Sequence, residues 1–221
     1  MFFASCQKEQ LAPENTVESE SVEMAVTTAS KANKSPEDKA FDKAMQQIMQ
    51  DMMQQMKKMD MTCDPDIDFA RMMIMHHEAG IKMADAELQY GHEARAKELA
   101  QQTKEGNQES KERLQAFLTS HPTSEPLSKE QCKQFMKEMD EAMKAMMMCM
   151  QKALDTEDVD VDFSNQMICH HRGAIAMSNV ELKWGNDAAA RLEAQTIINE
   201  QTAEMVEFAE FINQHGGVVV H

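Results

Sequence analysis

The 221-residue chain has few of the residues that build turns and sheets: seven glycines, five prolines, one tryptophan and one tyrosine. β-Rich folds need frequent turns and aromatic or β-branched strands, so this composition nearly excludes them. No apolar run approaches the roughly 20 residues that span a bilayer, and we expect no membrane-spanning helix. Only 22 Lys and Arg face 38 Asp and Glu, giving a formal net charge of −16. This balance excludes a basic nucleic-acid interface and favours cations as ligands.

Four of the five cysteines follow no recognisable spacing. Cys63, Cys132, Cys149 and Cys169 include no C-x-x-C pair and do not show the regular spacing of a disulfide-rich domain. A disulfide scaffold is therefore a poor interpretation. None of the four has a cysteine at the matching position of the internal repeat described below, so we expect most of them not to be extra soft ligands either.

The N-terminal segment differs in character from the rest. Small residues, Ala4 and Ser5, precede Cys6, and a polar stretch follows it, as at the cleavage site of a bacterial lipoprotein. We expect a lipid anchor on Cys6; the alternative is an ordinary cysteine in a terminus. Because the segment is rich in Glu, Ser, Thr and Ala and has little to bury, residues 1–35 are predicted to be a disordered tether.

The remainder of the chain repeats itself at an offset of 94 residues. The segment Asp66–Phe69 recurs as Asp160–Phe163, and the pair His76-His77 recurs as His170-His171. The register continues in both directions without a gap, which is typical of a duplicated structural unit.

Each copy has the apolar period of three helices. The predicted helices are 36–60, 66–90 and 92–120 in a first repeat over 36–121, and 128–154, 160–184 and 186–214 in a second repeat over 127–215. A lone hairpin leaves an apolar face uncovered, so the second and third helices of both copies should pair. We predict an all-α, ferritin-like four-helix bundle built from two repeated hairpins, each copy preceded by a Met-rich helix. Two separate three-helix bundles are the alternative.

The ends of the second helices carry local signals. Gly91 and Gly185 follow their last turns and predict left-handed C-terminal residues. Acidic residues suited to N-caps and the helix dipole precede or open these helices: Asp64, Asp66, Asp158 and Asp160.

Methionine is over-represented, with 23 in the chain, of which 14 lie in or just beyond the two first helices. Their spacing places most of them on one face of each helix. The candidate metal ligands on these faces are Met45, Met49, Met52, Met56, Met139, Met143, Met146 and Met150. Core packing is one alternative and a groove for a partner helix is another. Leu packs a core with better-defined rotamers, yet it is absent from the first Met helix, which favours metal binding.

The paired histidines flank the apolar stripe of the second helices, with methionines one or two turns away. The candidate ligands on these helices are His76, His77, Met73, Met83, His170, His171, Met167 and Met177. Imidazole and thioether together suit Cu(I). Glu87 and Glu181 are candidates to hydrogen-bond the second ring nitrogens, with a helix-face charge as the alternative.

The pattern F-x3-M-I-x-H-H-x3-I-x-M occurs between Asp68 and Met83 and again between Asp162 and Met177. It resembles the domain-of-unknown-function family 305. The resemblance implies a ferritin-like helical fold, a secreted or periplasmic bacterial protein with one or two copies of the domain, and copper-binding relatives.

A later Q-x2-E-[IM] pattern of the same family is kept in the second copy and altered in the first. It reads Gln201, Glu204 and Met205 in the second copy, against Asn107, Ser110 and Lys111 in the first. The resemblance therefore leaves the role of this segment open in the first copy.

Together these features predict an extracytoplasmic copper-binding protein, not an enzyme, that sequesters or transfers Cu(I), with Cu(II) and Ag(I) as alternative ions. It would reside in the periplasm or on the bacterial cell surface. Its expected partners are copper ions and other periplasmic copper carriers or exporters, with no nucleic acid, and with a membrane only through Cys6. The alternatives are a ferritin-like carboxylate-bridged di-iron oxidase, disfavoured because the chain has no Glu-x-x-His motif, and a Met-rich interaction module without metal.

Overall fold

The computed structural model describes residues 34–121, 125–153 and 155–221, and over these residues all regular structure is helical. The six helices are α1 (Pro36–Lys58), α2 (Pro65–Tyr90), α3 (Ala94–Ser120), α4 (Lys129–Lys152), α5 (Val159–Trp184) and α6 (Ala188–Gln214). The all-α prediction is confirmed, and each predicted boundary lies within two residues of the observed one. None of the helices described is both long and apolar enough to cross a membrane. The predicted tether and Cys6 lie outside the described residues, apart from the last positions of the tether.

The six helices form three layers of two. The hairpin of α2 and α3 packs against the hairpin of α5 and α6, with α2 against α5 and α3 against α6. The four form a bundle of paired hairpins and not two separate three-helix bundles. The ferritin-like character of the bundle stays a prediction. The methionine helices form the third layer, because α1 packs on α2 and α4 packs on α5.

Local capping signals position the helix starts. Ser35 and Ser128 form capping boxes at α1 and α4. Asp64 accepts a hydrogen bond from the Ile67 N–H, and Asp158 caps α5 in the same way, as predicted. Asp66 and Asp160 lie in the first turns of α2 and α5, as the helix dipole favours. They are not N-caps, because their carboxylates bond to the opposite hairpin instead.

The glycine prediction is also wrong in its mechanism. Gly91 and Gly185 have φ of −65° and −70° with extended backbone, so neither is left-handed. A Cβ atom at these positions would overlap the side-chain oxygens of Glu87 and Glu181, which fold back over the helix ends. Glycine is needed here for close approach, not for a positive φ.

Two disulfides join the Met helix α4 to the rest of the fold, which corrects the prediction from cysteine spacing. Cys63 pairs with Cys132 at the start of α4, and Cys149 near its end pairs with Cys169 in α5. The partners are 69 and 20 residues apart in sequence and become neighbours only through helix packing. A search for local spacing could not find them, because no short motif connects them.

Replacing Cys63 and Cys132 together by alanine should lower the free energy of unfolding by about 2–4 kcal/mol, since the bond closes a long loop in the unfolded chain. Urea denaturation of the oxidised protein measures this loss. The paired change Cys149→Ala/Cys169→Ala serves as the comparison. It removes a disulfide that closes a shorter loop, so its loss of stability should be smaller. Peptide mapping without reductant that found four free thiols would contradict the pairing.

Candidate functional site

Two histidines lie at the point where α2 crosses α5. His76 and His170 are fully buried, and their ring centroids are 3.8 Å apart with the planes tilted by 36°. Nε2 of His170 lies 3.0 Å from the carbonyl oxygen of His76, so this nitrogen carries the proton and donates it. The two helices run antiparallel, because the end of each bonds to the start of the other. His76 and His170 occupy the same position in the two copies of the repeat.

The two outer histidines bond to the third helices of their hairpins. Nε2 of His77 lies 2.9 Å from the Ser110 hydroxyl, which donates to the Glu193 carboxylate at 2.6 Å. Nε2 of His171 lies 2.8 Å from a carboxylate oxygen of Glu204. Ser110 and Glu204 occupy the same repeat position, so the altered first-copy segment keeps its contact with histidine through a shorter side chain.

These contacts correct the role predicted for Glu87 and Glu181. Neither carboxyl bonds to an imidazole; both lie at the far ends of α2 and α5. Glu204 takes the predicted role for His171, and Ser110 with Glu193 takes it for His77. The surviving Gln201-to-Met205 motif was the one sequence signal that pointed to Glu204.

The four histidines of this crossing form what we call the histidine core, and burial keeps three of them, His76, His77 and His170, neutral. Desolvation, followed by the neighbouring imidazoles, lowers the pKa of His76 and His170 well below the ordinary value. Desolvation also lowers the pKa of His77 to about 3, with the charge of His171 acting in the same direction. Both ring nitrogens of His76 and Nδ1 of the other three have no hydrogen-bond partner among the described residues.

The imidazoles do not by themselves form a three-ligand metal site. Among the described His, Cys, Asp and Glu side chains, one group of three brings its ligand atoms together, and it consists of Asp42, Asp155 and Asp162. The Lys34 ammonium already pairs with all three carboxylates. The methionines predicted beside the histidines are fully buried in the core of α2 and α5: Met73, Met83, Met167 and Met177.

Six of the other eight predicted thioethers lie along the seam between α1 and α4. A groove of about 500 Å³ runs there, which we call the thioether groove. Eight of its eleven lining residues are methionines: Met53, Met56, Met59, Met61, Met72, Met136, Met139 and Met143. Gln54, Lys57 and Asp140 complete the lining.

Only Met56, Met139 and Met143 of this groove were among the predicted ligands. The other five methionines of the groove lie on flanking faces of α1 and α4, in the α1–α2 connection or on α2. The periodicity of a single helix therefore could not show that they lie together. Their proximity depends on how α4 lies beside α1.

A second groove of about 810 Å³ continues along the same seam. Its methionines are Met45, Met49, Met53, Met147 and Met150, accompanied by five glutamines and by charged residues near Lys34. Met53 and Gln54 line both grooves, so the two are contiguous.

The two remaining predicted ligands, Met52 and Met146, are almost fully buried and line neither groove. The side chain of Met146 lies against Gly173 of α5, where a Cβ atom would come within 2.7 Å of its sulfur. These two methionines pack the core beneath the seam.

A family model described as "Domain of unknown function (DUF305)" matches residues 66–212, from the first turn of α2 nearly to the end of α6. The chain belongs to the DUF305 family. This one match spans both hairpins, so the presence of two separate family copies stays a prediction. The α1 helix lies outside the matched residues, whereas α4 lies within them.

Two solved structures share the DUF305 fold. A DUF305 fragment from Deinococcus radiodurans aligns with a TM-score of 0.50 and 20% identity, covering 68% of this chain and 96% of that one. A DUF305 protein from Streptomyces coelicolor that is predicted to be secreted aligns with a TM-score of 0.56 and 18% identity, covering 73% and 99%. No curated protein matches the chain. At these identities the likeness shows the fold alone.

Gly80→Ala should destabilise the histidine core. The added Cβ would come within 2.7 Å of Asn107 Nδ2 and 2.9 Å of His170 Cε1, and the stacked ring cannot move away cheaply. We expect a loss of about 1–3 kcal/mol in the free energy of unfolding. Gly106→Ala is the control, because its added Cβ atom would lie 3.6 Å from Glu204 Oε1, an ordinary van der Waals contact. There the helix should gain about 0.5–1 kcal/mol. Equal effects of the two changes in urea denaturation would contradict this packing.

The buried, neutral His77 should cost stability in acid. The unfolded chain binds a proton at this residue below pH 6.5, whereas the folded chain does so only near pH 3. Relative to a His77→Gln variant, the wild-type protein should therefore lose about 1.4 kcal/mol for each pH unit below 6.5. Denaturant titrations between pH 8 and 4.5 measure the difference. It should be constant between pH 7 and 8, and a constant difference at lower pH would contradict the expectation.

Proposed function

We propose that this DUF305 protein binds Cu(I) in the thioether groove and sequesters it or hands it to other proteins outside the cytoplasm. The observation that carries the proposal is the lining of the groove, in which eight of eleven residues are methionines. Thioether sulfur is a soft, neutral ligand that selects Cu(I), and Ag(I) has the same preference. Mg²⁺ and Ca²⁺ prefer oxygen ligands, of which this groove offers few.

Burial and charge support binding at this position. Met139 and Met143 are 1% and 3% exposed, while Met136 is 41% exposed, so the groove leads from solvent to buried sulfur. The net charge of −16 raises the local concentration of cations near the surface. Thioethers carry no proton to lose, so binding by methionine alone does not require deprotonation of the ligands.

The histidine core has a supporting role in this proposal. His76 and His170 are fully buried one layer below the seam and are held in place by packing. Their unpartnered nitrogens are candidate donors for Cu(II) or Cu(I) only if the hairpins rearrange. We therefore assign the first ion to the methionines and not to the imidazoles.

We also propose a periplasmic or cell-surface location in a bacterium. The two disulfides support it, because such bonds form and persist in oxidising compartments. The Streptomyces coelicolor relative is predicted to be secreted, which points the same way. Copper carriers or exporters of that compartment are the proposed partners, and a lipid anchor on Cys6 is the proposed route to the membrane.

An activity as a di-iron oxidase has little support. Such enzymes place Glu and Glu-x-x-His motifs inward around two metals, and the chain has no such motif. Glu87 and Glu181 lie at opposite ends of the hairpin interface, away from the imidazoles. We propose a binding protein and not an enzyme.

Replacing Met56, Met139 and Met143 by leucine should weaken Cu(I) binding at least tenfold, because leucine keeps the apolar volume and removes the sulfur. Anaerobic titration of the full-length, oxidised protein with Cu(I) against a chromophoric chelator measures the affinity. The control replaces three methionines buried away from the seam by leucine: Met73, Met167 and Met177. Its affinity should equal that of the wild type.

Two results would overturn the proposal. One is wild-type binding no tighter than micromolar. The other is an equal affinity of the groove variant and the wild type, which would assign these methionines to packing or to a partner helix. Circular dichroism of each variant shows whether the fold is retained.

A further inference from the structure

The ends of the α2–α5 pair carry two matching aspartates that bond to the opposite hairpin. Asp66 of α2 accepts hydrogen bonds from the backbone N–H groups of Asn186 at 3.2 Å and Asp187 at 3.0 Å. Asp160 of α5 accepts them from His92 at 3.0 and 3.1 Å and from Glu93 at 2.9 Å. Both aspartates are 2% exposed. Each aspartate is therefore placed as an acceptor of backbone N–H groups, an arrangement that favours a carboxylate.

A second, fully buried carboxyl group faces each aspartate. The Glu87 carboxyl lies over Gly91, directly before the His92 and Glu93 N–H groups that bond to Asp160. The Glu181 carboxyl lies over Gly185 in the same way, directly before the N–H groups that bond to Asp66. At one end the geometry is direct, since a Cβ atom on Gly185 would meet both Glu181 Oε1 and Asp66 Oδ1. None of the four glutamate oxygens has a donor among the described residues. The aspartate oxygens already accept backbone N–H groups, so they face the glutamate as acceptors and not as donors.

Two carboxylates in buried contact cannot both be charged, so one of each pair must hold a proton. Since the N–H groups stabilise the charge on the aspartate, the proton belongs on the glutamate, whose O–H can then donate to the aspartate. We propose that Glu87–Asp160 and Glu181–Asp66 are proton-sharing carboxyl pairs that latch the two hairpins together and open when the shared proton is lost.

The electrostatics agree with this arrangement. Burial, then the hydrogen bond and charge of Asp160, raises the pKa of Glu87 to about 9, with Asp158 adding to the effect and Lys97 opposing it. Burial, then Asp66, raises the pKa of Glu181 to about 9 as well.

Asp64 adds to the effect on Glu181, and Arg191 opposes it. Neither Lys97 nor Arg191 forms an ion pair with the glutamates in the described structure, and Arg191 bonds to the carbonyls of Leu182 and Gly185 instead. Among the described residues, no cationic side chain forms an ion pair with Glu87 or Glu181 that would stabilise its ionised form.

The latch gives the hairpin interface a defined pH dependence. The folded-state pKa lies above the unfolded value of 4.5, so the stabilisation is complete below pH 4.5 and is lost as the pH rises through 9. Between pH 7 and 9 the unfolded glutamates are ionised and the folded ones are not. Each latch then lowers the folding equilibrium constant about tenfold for every added pH unit.

Infrared spectroscopy of the full-length, oxidised protein tests the proposal directly, because a protonated carboxyl has a carbonyl band distinct from that of carboxylate. At pH 8 the wild type should show a band equivalent to two protonated carboxyls, lost with a midpoint near pH 9. Glu87→Gln and Glu181→Gln should each remove half of it, and the double variant all of it. Glu204→Gln is the control and should remove none. Burial alone would raise the pKa of Glu204, but its hydrogen bonds with His171 and Thr103 and the charge of His171 together lower it.

Denaturation supplies the second measurement. Glutamine matches the protonated acid in shape and cannot ionise, so the double variant should keep its stability between pH 7 and 9 while the wild type loses it. A wild-type spectrum without the band at pH 8 overturns the proposal whether or not the variants fold. An unchanged pH dependence in a folded double variant also overturns it.

Discussion

The fold depends on two antiparallel helices, α2 and α5, that cross with their histidines in contact and no charge between them. Each hairpin alone would expose its apolar stripe, and each covers that of the other. An imidazolium at this crossing would be expensive in a dry interior, so His76 and His170 stay neutral. Nε2 of His170 donates to a carbonyl, and the two outer rings bond to a hydroxyl and a carboxylate. The rest of the molecule is arranged around this pair: α3 and α6 on one side, and α1 and α4 on the other.

The packing of α2 on α5 also explains which methionine sulfur atoms are buried in the core and which line the grooves. Methionines that face the crossing are sealed in tight packing, whereas those on the outer layer meet along a seam that α1 and α4 only partly close. Disulfides hold both ends of α4 against the bundle, which gives the seam one firmly positioned wall. Flexible thioethers on such a wall can adapt to an ion in a way that leucine cannot.

Much of the secondary structure followed from local patterns. The apolar period of 3.6 placed all six helices to within two residues, and Asp64 and Asp158 were recognised as caps of α2 and α5. The capping boxes of Ser35 and Ser128 were not predicted. The duplicated sequence also indicated that the hairpins pair. The groove was predicted only in part. Met56, Met139 and Met143 were among the predicted ligands, whereas five other lining methionines were not: Met53, Met59, Met61, Met72 and Met136. That any of them binds an ion stays a prediction.

What the sequence alone determined is therefore everything that depends on neighbours within a turn or two: helices, caps, apolar faces and the repeat. The tertiary structure decided which distant residues meet. Cys63 pairs with Cys132, and the Asp66 side chain accepts a hydrogen bond from Asn186 of the opposite hairpin. Glu204, and not Glu181, bonds to His171. Hydrogen bonds and sulfur contacts act over a few ångströms, so their partners are set by the crossing of helices, which no local period encodes.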